Sequence, residues 1–475
     1  MRIANALGER LNFWMCASLL YGCLVFGGGG GWFGDSLLQI FSLPLVLIAA
    51  SRLMRKPMRL DAPVLILLGG LFLLAAIQLI PLPPAIWQQL GGRAELVQQM
   101  AMLGIHPGWH PLSLSPTATE RSLLSVLPCV AITLSVSTMA AQSRTRLVVL
   151  FCLFAVLSLL LELAQIGSGP DSVLRFYGSS AVGFFANRNH FACMLAMTIP
   201  LAVALLISTL RARTSGHPAP AAWPLLVSMM IGAVLIALPI TGSRAGLALG
   251  VLAVAGSFGL LLRAGLARRT VFTLMGVGAL GLLLVAAFGL DRVLSRMDED
   301  SATDTRWTMH ATTLEAAHHF GPLGSGLGTF VSAYQAVTPA HDPPLHYINH
   351  AHSDYHELWL EAGWPGIILI AVFLGWYLWR SGAVWLTLAA SPEALTLPRA
   401  ASISIAVVLA HSWVDYPLRN TAMVALLGLC CGLLTRGVCS KPDRIDTDSR
   451  HRASHSAHNR SAPLNRDLRH SQNVS

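Results

Sequence analysis

The sequence predicts an all-α, polytopic integral membrane protein with about twelve transmembrane helices and a partly helical outer loop. Three observations carry that expectation. Of 475 residues, 54% are hydrophobic and only 12% are charged, against about 25% charged in soluble chains. The apolar residues are gathered in runs near the ~20 residues that a spanning helix needs. The charges lie between these runs and alternate in density from loop to loop, as the positive-inside rule requires. With a mean hydropathy of +0.59, a water-soluble enzyme is excluded. The surplus of 32 Lys and Arg over 23 Asp and Glu then speaks first of loop sidedness rather than of nucleic acid.

The expected spans lie near 12–30, 36–51, 62–80, 121–140, 147–166, 189–209, 222–240, 245–262, 271–290, 357–379, 400–415 and 420–436. The second and eleventh are short. Segment 381–398 is apolar but carries Pro392, Glu393 and Pro398, and reads as an interfacial connection. One set of loops holds 15 Arg and Lys before residue 440, and the other set holds nine. The richer set and both termini therefore belong in the cytoplasm. Arg2 and Arg10 precede an apolar run with no small-residue cleavage site after it, so the first helix is expected to stay uncleaved. The eight Cys fall in spans or in the tail, so no disulfide framework is expected. Residues 1–440 form the membrane domain. Residues 441–475, rich in Arg, His and Ser, are too polar to bury a core and are expected to be a disordered cytoplasmic tail. Contact of that tail with anionic lipid headgroups is the alternative.

Two outer segments are long. The first, 81–120, is Pro-rich and includes His110-Pro-Leu-Ser-Leu-Ser-Pro116. The second, 291–356, holds eight of the 17 His. A transporter usually keeps its functional polar residues near the bilayer midplane; here they gather outside it, which favours chemistry at the outer surface. Within the second segment, Asp304 to Phe320 reads as a helix outside the bilayer. Asp304 is placed to cap it, Trp307, Ala311, Leu314 and Ala317 recur at helical spacing, and Gly321-Pro322 ends it. Arg306 and His310 share one face, which a solvated surface would also explain. Gly324-Ser-Gly-Leu-Gly328 follows no strand, so it reads as tight turns rather than a phosphate loop. Asp298-Glu299-Asp300 has the spacing of a metal-binding acidic motif but reads as a solvated linker.

His352 and His356 are four apart, so on a helix they would share a face. The protease pattern H-E-x-x-H is absent because Glu357 follows the second His, and no metal or other cofactor is expected. A general base is the better use of one of these imidazoles. Arg244, at the outer end of the eighth span, either snorkels or binds an anion. Asn187-Arg188-Asn189-His190 opens the sixth span, where polar residues are costly unless paired or used. An Arg fork suits a diphosphate.

Together these motifs resemble those of the O-antigen ligase and polymerase superfamily of bacterial inner membranes. His352-Ser-Asp-Tyr-His-Glu-Leu-Trp-Leu-Glu-Ala-Gly363 is similar to its periplasmic motif, a His followed eleven positions on by a Gly before the next span. Thr241-Gly-Ser-Arg244-Ala-Gly246 resembles its span-end Arg motif. Asp304-Thr-Arg306-Trp307 and Gly324–Phe330 resemble the start of its periplasmic helix and the glycine turn after it. The resemblance implies inverting, metal-independent transfer of a glycan from a polyprenyl diphosphate carrier, undecaprenyl diphosphate in bacteria, to a lipid A-core or growing glycan acceptor at the periplasmic face. It implies His352 as general base and Arg244 and Arg306 as diphosphate ligands. His356, Asn189 and His310 are supporting candidates. His356 stands where the family usually has an apolar residue, which leaves open which His acts, although the alignment of the motif favours His352. A polymerase shares the donor chemistry. A lipid or polysaccharide transporter and a zinc hydrolase are readings of other classes. Membrane lipids, but no nucleic acid, complete the expected partners.

Overall fold

A computed structural model describes residues 2–29, 32–55, 62–169, 171–177, 181–215, 220, 222–297, 302–338, 347–387 and 393–435. The chain divides into units Met1–Gly437 and Val438–Ser475, and all described residues belong to the first. The expected tail and Asp298-Glu299-Asp300 lie outside the described residues.

The helices are α1 Arg2–Phe26, α2 Trp32–Arg55, α3 Ala62–Gln78, α4 Pro84–Trp87, α5 Ala94–Met102, α6 Pro116–Ser125, α7 Leu127–Thr138, α8 Ala141–Gly167 and α9 Arg188–Thr214. They continue with α10 Trp223–Ile240, α11 Arg244–Leu262, α12 Arg268–Met297, α13 Ala302–His319, α14 Phe330–Val337, α15 Asp354–Leu386, α16 Glu393–His411 and α17 Thr421–Leu434. One short antiparallel pair, β1 Pro81–Leu82 and β2 His110–Pro111, closes the first outer segment. Each expected span contains a helix. Among the described residues, eight helices are long and apolar enough to cross a membrane by themselves. Two others, over Pro63–Gln78 and Thr421–Leu434, are apolar but short. These ten coincide with ten of the expected spans, and the spans expected near 12–30 and 271–290 fall on α1 and α12. Segment 381–398 is corrected. Leu386 ends one helix and Glu393 begins the next, with Pro398 inside its first turns, so the eleventh span starts earlier and ends at His411.

The centre of the molecule is α9. Its residues are buried on every side from His190 to Ile207, as expected of a helix that is apolar all round. Helices α8, α10, α11 and α16 surround it. Outer helices expose apolar stripes instead. On α8, Leu153, Leu157 and Leu160 are exposed at helical spacing, a face that suits lipid. Polar contacts join helices within the bundle. Asn12 of α1 donates to the Ser135 carbonyl at 3.2 Å and accepts from Ser135 Oγ at 2.8 Å on α7. Such bonds satisfy groups that hydrocarbon could not.

What positions the outer loops is a break in α15. At Gly363 the backbone turns to φ 56°, ψ −145°, so α15 is two helices joined there. The break frees carbonyls that the glycine turn collects. Ser325 N–H donates to Leu360 O at 3.0 Å, and Gly326 N–H donates to Glu361 O at 2.9 Å. Gln78 at the end of α3 braces both, donating to Glu361 O at 3.0 Å and accepting from Leu327 N–H at 2.8 Å. Gly324, Gly326 and Gly328 all have positive φ, which bears out the tight-turn reading. A Cβ on Gly326 would stand 2.4 Å from Ser113 Oγ, so the His110–Pro116 motif is the wall this turn packs against.

The outer helix differs from expectation in its face. It begins at Ala302, so Asp304 lies inside it rather than capping it. Trp307 is 70% exposed, while Thr313, Ala316, Ala317 and Phe320 are buried. Small residues form the buried stripe because α13 packs closely on α15, and the bulky Trp is left outside.

The break at Gly363 predicts a graded response. Gly363→Ala puts a Cβ 2.1 Å from the Pro322 carbonyl in a backbone region that only glycine tolerates, and costs about 2–4 kcal/mol. Gly104→Ala, also at positive φ but with open space around it, costs about 1–2 kcal/mol. Thermal melts of the purified variants should rank them in that order; equal melting would remove the wedge.

Candidate active site

The outer ends of α9, α11, α13, α15 and α16 meet around one carboxylate, Asp415. Helix α16 stops at His411, and Asp415 N–H bonds back to His411 O at 2.9 Å. The chain then turns through Tyr416 into a 3-10 turn, Pro417–Arg419. This turn leaves Asp415 completely buried and facing three imidazoles. His352 Nδ1 stands 3.4 Å from Oδ1, His190 Nε2 4.0 Å from Oδ1 and His411 Nε2 3.7 Å from Oδ2. These lengths are those of charge contacts rather than aligned hydrogen bonds. Two short bonds complete the set: Asn189 Nδ2 donates to Oδ2 at 2.6 Å, and Tyr416 N–H donates to Oδ1 at 2.9 Å. Burial alone would raise the carboxyl. The contacts with His352 and His411 and the charge of His190 outweigh it and hold Asp415 well below the usual carboxylate range.

His352 reaches this position through an unusual backbone. Its φ is +50°, the one described non-glycine residue at positive φ, a conformation that costs on the order of 1 kcal/mol. It lies ahead of α15, whose cap is Ser353, the acceptor of a bond from His356 N–H. His352 and His356 therefore do not share a helix face, and the expected pairing is corrected: the helix begins between them. His356 turns instead to His310, with ring centroids 4.9 Å apart, and to Trp413, 5.9 Å away.

The Asp415 contacts extend to the other expected residues. Asn189 Oδ1 accepts from Ser243 Oγ at 2.7 Å. Ser243 Oγ in turn accepts from Gly246 N–H at 3.0 Å, capping α11. Arg244 is the first residue of that helix, so the bonds tie the helix carrying Arg244 to the carboxylate facing His352. A long helix start with its free N–H groups also suits an anion. From the other side, His310 Nε2 donates to His352 O at 3.3 Å, and Arg306 lies one turn earlier on α13. Burial, with the charges of His352 and Arg306, holds His310 below the ordinary imidazole range even though it donates to a carbonyl. His352, Asn189 and His310 are thus in one bonded network, Arg244 and Arg306 flank it, and His356 is at its edge.

Sequence reasoning missed Asp415, His411 and Arg419, and named His190 only as part of the polar opening of the sixth span. Arg419 is surrounded by three carboxylates that follow His352 at helical spacing. Its Nη1 donates to Glu361 Oε2 at 2.7 Å, and its Nε lies 3.4 Å from Glu357 Oε1 and 4.0 Å from Asp354 Oδ1. Burial would lower the guanidinium, but Glu361, Glu357 and Asp354 raise it further. Glu357 also holds His350 Nδ1 at 2.9 Å and Ala351 N–H at 2.9 Å, so Arg419 fixes the segment that leads into His352. A signal for these residues exists in Asp415-Tyr-Pro-Leu-Arg419, an acid and a base between two apolar stretches. It was hidden because the eleventh span was read as running to 415. His190, His411 and Asp415 also have ligand atoms within 4.8 Å of one another, so they are the described residues spaced to hold a metal.

Two predictions rest on this geometry. Arg419→Met leaves three buried carboxylates without their cation and should cost about 3–5 kcal/mol, read as a fall in melting temperature, with Arg419→Lys intermediate because it keeps charge but loses the fork. For Asp415 the sign follows from its depressed value. The stability from its contacts is complete above the unfolded value, about pH 4, and is lost as pH falls through the lower folded value. The melting difference between the wild type and Asp415→Asn should therefore still be present at about pH 5 and shrink only under stronger acid. A difference that disappears already at pH 5 would mean that Asp415 is not the shared counter-ion.

No curated protein matches the chain. A family model described as O-Antigen ligase matches residues 229–371. The matched stretch includes Arg244, Arg306, His310, His352 and His356, while Asn189, His190 and Asp415 lie outside it. Over that stretch, less than half of the chain, the protein is similar to the O-antigen ligase family.

Proposed function

We propose that the protein transfers a glycan from a polyprenyl diphosphate carrier to an acceptor hydroxyl at the periplasmic face of the inner membrane, as an O-antigen ligase. The observation that carries this reading is the chain of contacts from His352 to Asp415 and, by hydrogen bonds, on through Asn189 and Ser243 to the helix that begins with Arg244. It supports reading them as a base, its orienting carboxylate and a cation acting in one unit.

The chemistry needs little else. His352, oriented through Nδ1 by Asp415, presents its other nitrogen to an acceptor hydroxyl and takes its proton. The acceptor oxygen forms a bond to the anomeric carbon while the bond from that carbon to the diphosphate oxygen breaks. The diphosphate leaves with the electron pair. One displacement from the opposite face inverts the anomeric centre. The leaving group is already an anion, so no strong acid and no metal are invoked. Arg244 and Arg306 stabilise its growing charge, as preorganised donors do. The apolar tail of the carrier stays between spans, which explains why the catalyst resides in a membrane.

In a reconstituted assay with carrier-linked glycan, His352→Ala and Asp415→Asn should each lower transfer by about 10²–10⁴-fold, the contribution of a positioned base. Arg306→Ala and Arg244→Ala should fall by about 10²–10³-fold, as when one donor to a developing oxyanion is removed. Wild-type transfer by His352→Ala and Arg306→Ala would end this mechanism. Deleting the gene separates the acceptors. Surface polysaccharide absent from the lipid core, with carrier-linked polymer accumulating, identifies a ligase. Single repeat units on the core identify a polymerase. Movement of carrier lipid across a bilayer without change in its glycan would indicate a transporter.

A further inference from the structure

A polar cavity of about 450 Å³ opens beside the network, and neither Arg244, Arg306 nor His352 lines it. Its walls come from the start of α9 (Asn187, Arg188, His190), from the segment before His352 (Asn349, His350), and from Tyr416, Arg419 and Asn420. We propose that this cavity is the acceptor subsite and takes one or two pyranose rings of a glycan, with a hydroxyl turned toward His352. The inference rests on the transfer reading above and adds to it the place and the chemical class of the acceptor.

Four observations carry it. The first is lining chemistry. The carboxamides of Asn187 and Asn349 and the Tyr416 phenol offer donors and acceptors to neutral hydroxyls. Tyr416 is kept protonated, since burial and the charge of Asp415 raise its phenol. Arg419 is neutralised by its three carboxylates, and Arg188 is the other cation of the wall. The neutral groups of such a wall suit sugar hydroxyls. The second is aromatic lining. His350 stacks on Tyr416 with centroids 4.2 Å apart and planes 30° apart, so the wall holds two rings whose edges can meet the C–H groups of a pyranose. The third is an unmet need. Both ring nitrogens of His190 are buried without a hydrogen-bond partner, and the residue is 3% exposed. A buried polar group in that state costs about 1–3 kcal/mol, which a ligand hydroxyl in the cavity would offset. The fourth is connection. Tyr416 touches His352 edge-on at 5.0 Å and His190 edge-on at 5.1 Å, and His190 faces the same Asp415 that orients His352. The cavity and the base thus share one side chain as a wall and one as a counter-ion, while both Arg residues assigned to the diphosphate lie elsewhere. The volume falls within the roughly 300–1,000 Å³ of small-molecule sites.

The test uses the full-length protein in nanodiscs and two probes, the methyl glycosides of a neutral hexose and of a hexuronic acid. Saturation-transfer NMR reads binding, and the transfer assay reads KM for acceptor and for donor separately. Asn349 is exposed, so Asn349→Trp fills the cavity from its rim without entering the core, and Asn349→Leu is a milder second variant if the first folds poorly. Expected results are binding of at least one glycoside by wild type, its loss in Asn349→Trp and its retention in His352→Ala. In transfer, Asn349→Trp should raise KM for acceptor by about tenfold or more and leave KM for donor unchanged. A wild type that binds neither glycoside, binding that survives Asn349→Trp, or equal change in both KM values overturns the subsite. Sugar binding that Asn349→Trp abolishes, in a protein that never transfers glycan, would instead overturn the transfer reading and with it the acceptor role.

Discussion

One end of the helix bundle depends on one buried carboxylate. Asp415 receives contacts from three imidazoles, a carboxamide and a backbone N–H. These partners belong to α9, α16, the turn after α16 and the segment before α15. A charge so deeply buried would be prohibitively costly alone. Its partners therefore cannot drift without exposing that cost, and the ends of otherwise separate helices are held in register. His352 adopts a left-handed backbone because this arrangement over-determines it.

A second buried charge, Arg419, does the complementary job four residues on. Its three carboxylates lie on successive turns of the first part of α15. The break at Gly363 lets that part leave the direction of the rest of the helix. The freed carbonyls are then met by the glycine turn and by Gln78. Glycines, carboxamide and ion cluster form one construction: the turn satisfies the break, and the ions orient the segment that the break releases. The membrane makes such accounting strict, since unsatisfied backbone near hydrocarbon has no water to turn to.

Much of this was legible in the residues. Each apolar stretch contains a helix because period and length are local properties. Arg244 and Asn189 were singled out since a polar residue at the end of a span needs a purpose, His310 by the helix face it shares with Arg306, and His352 as an imidazole suited to a base. Other features are not local. Asp415 looked like the last residue of a span, and only the stop at His411 turns it inward. His352 and His356 looked like a helical pair, and only the cap at Ser353 separates them. The buried face of α13 was misread because packing distance, not hydrophobicity, chose Ala316 and Ala317 over Trp307.

The missed residues share a physical reason. Asp415, His411 and Arg419 act through partners far away in sequence, with Asn189 and Asp415 separated by 226 positions. Spacing rules cannot see such pairs, but energetic ones can. An acid and a base between two apolar stretches must either reach water or find each other's complements. Asp415-Tyr-Pro-Leu-Arg419 is too short to carry both charges far from the helix ends, so the complements have to come to it. The sites offering them are the polar openings of other spans on the same face, among them Asn187–His190 and His350–Glu361. Charge compensation thus leads to the same cluster that the catalytic motifs indicate. That convergence is why the cluster is read as a working site rather than as a set of helix caps.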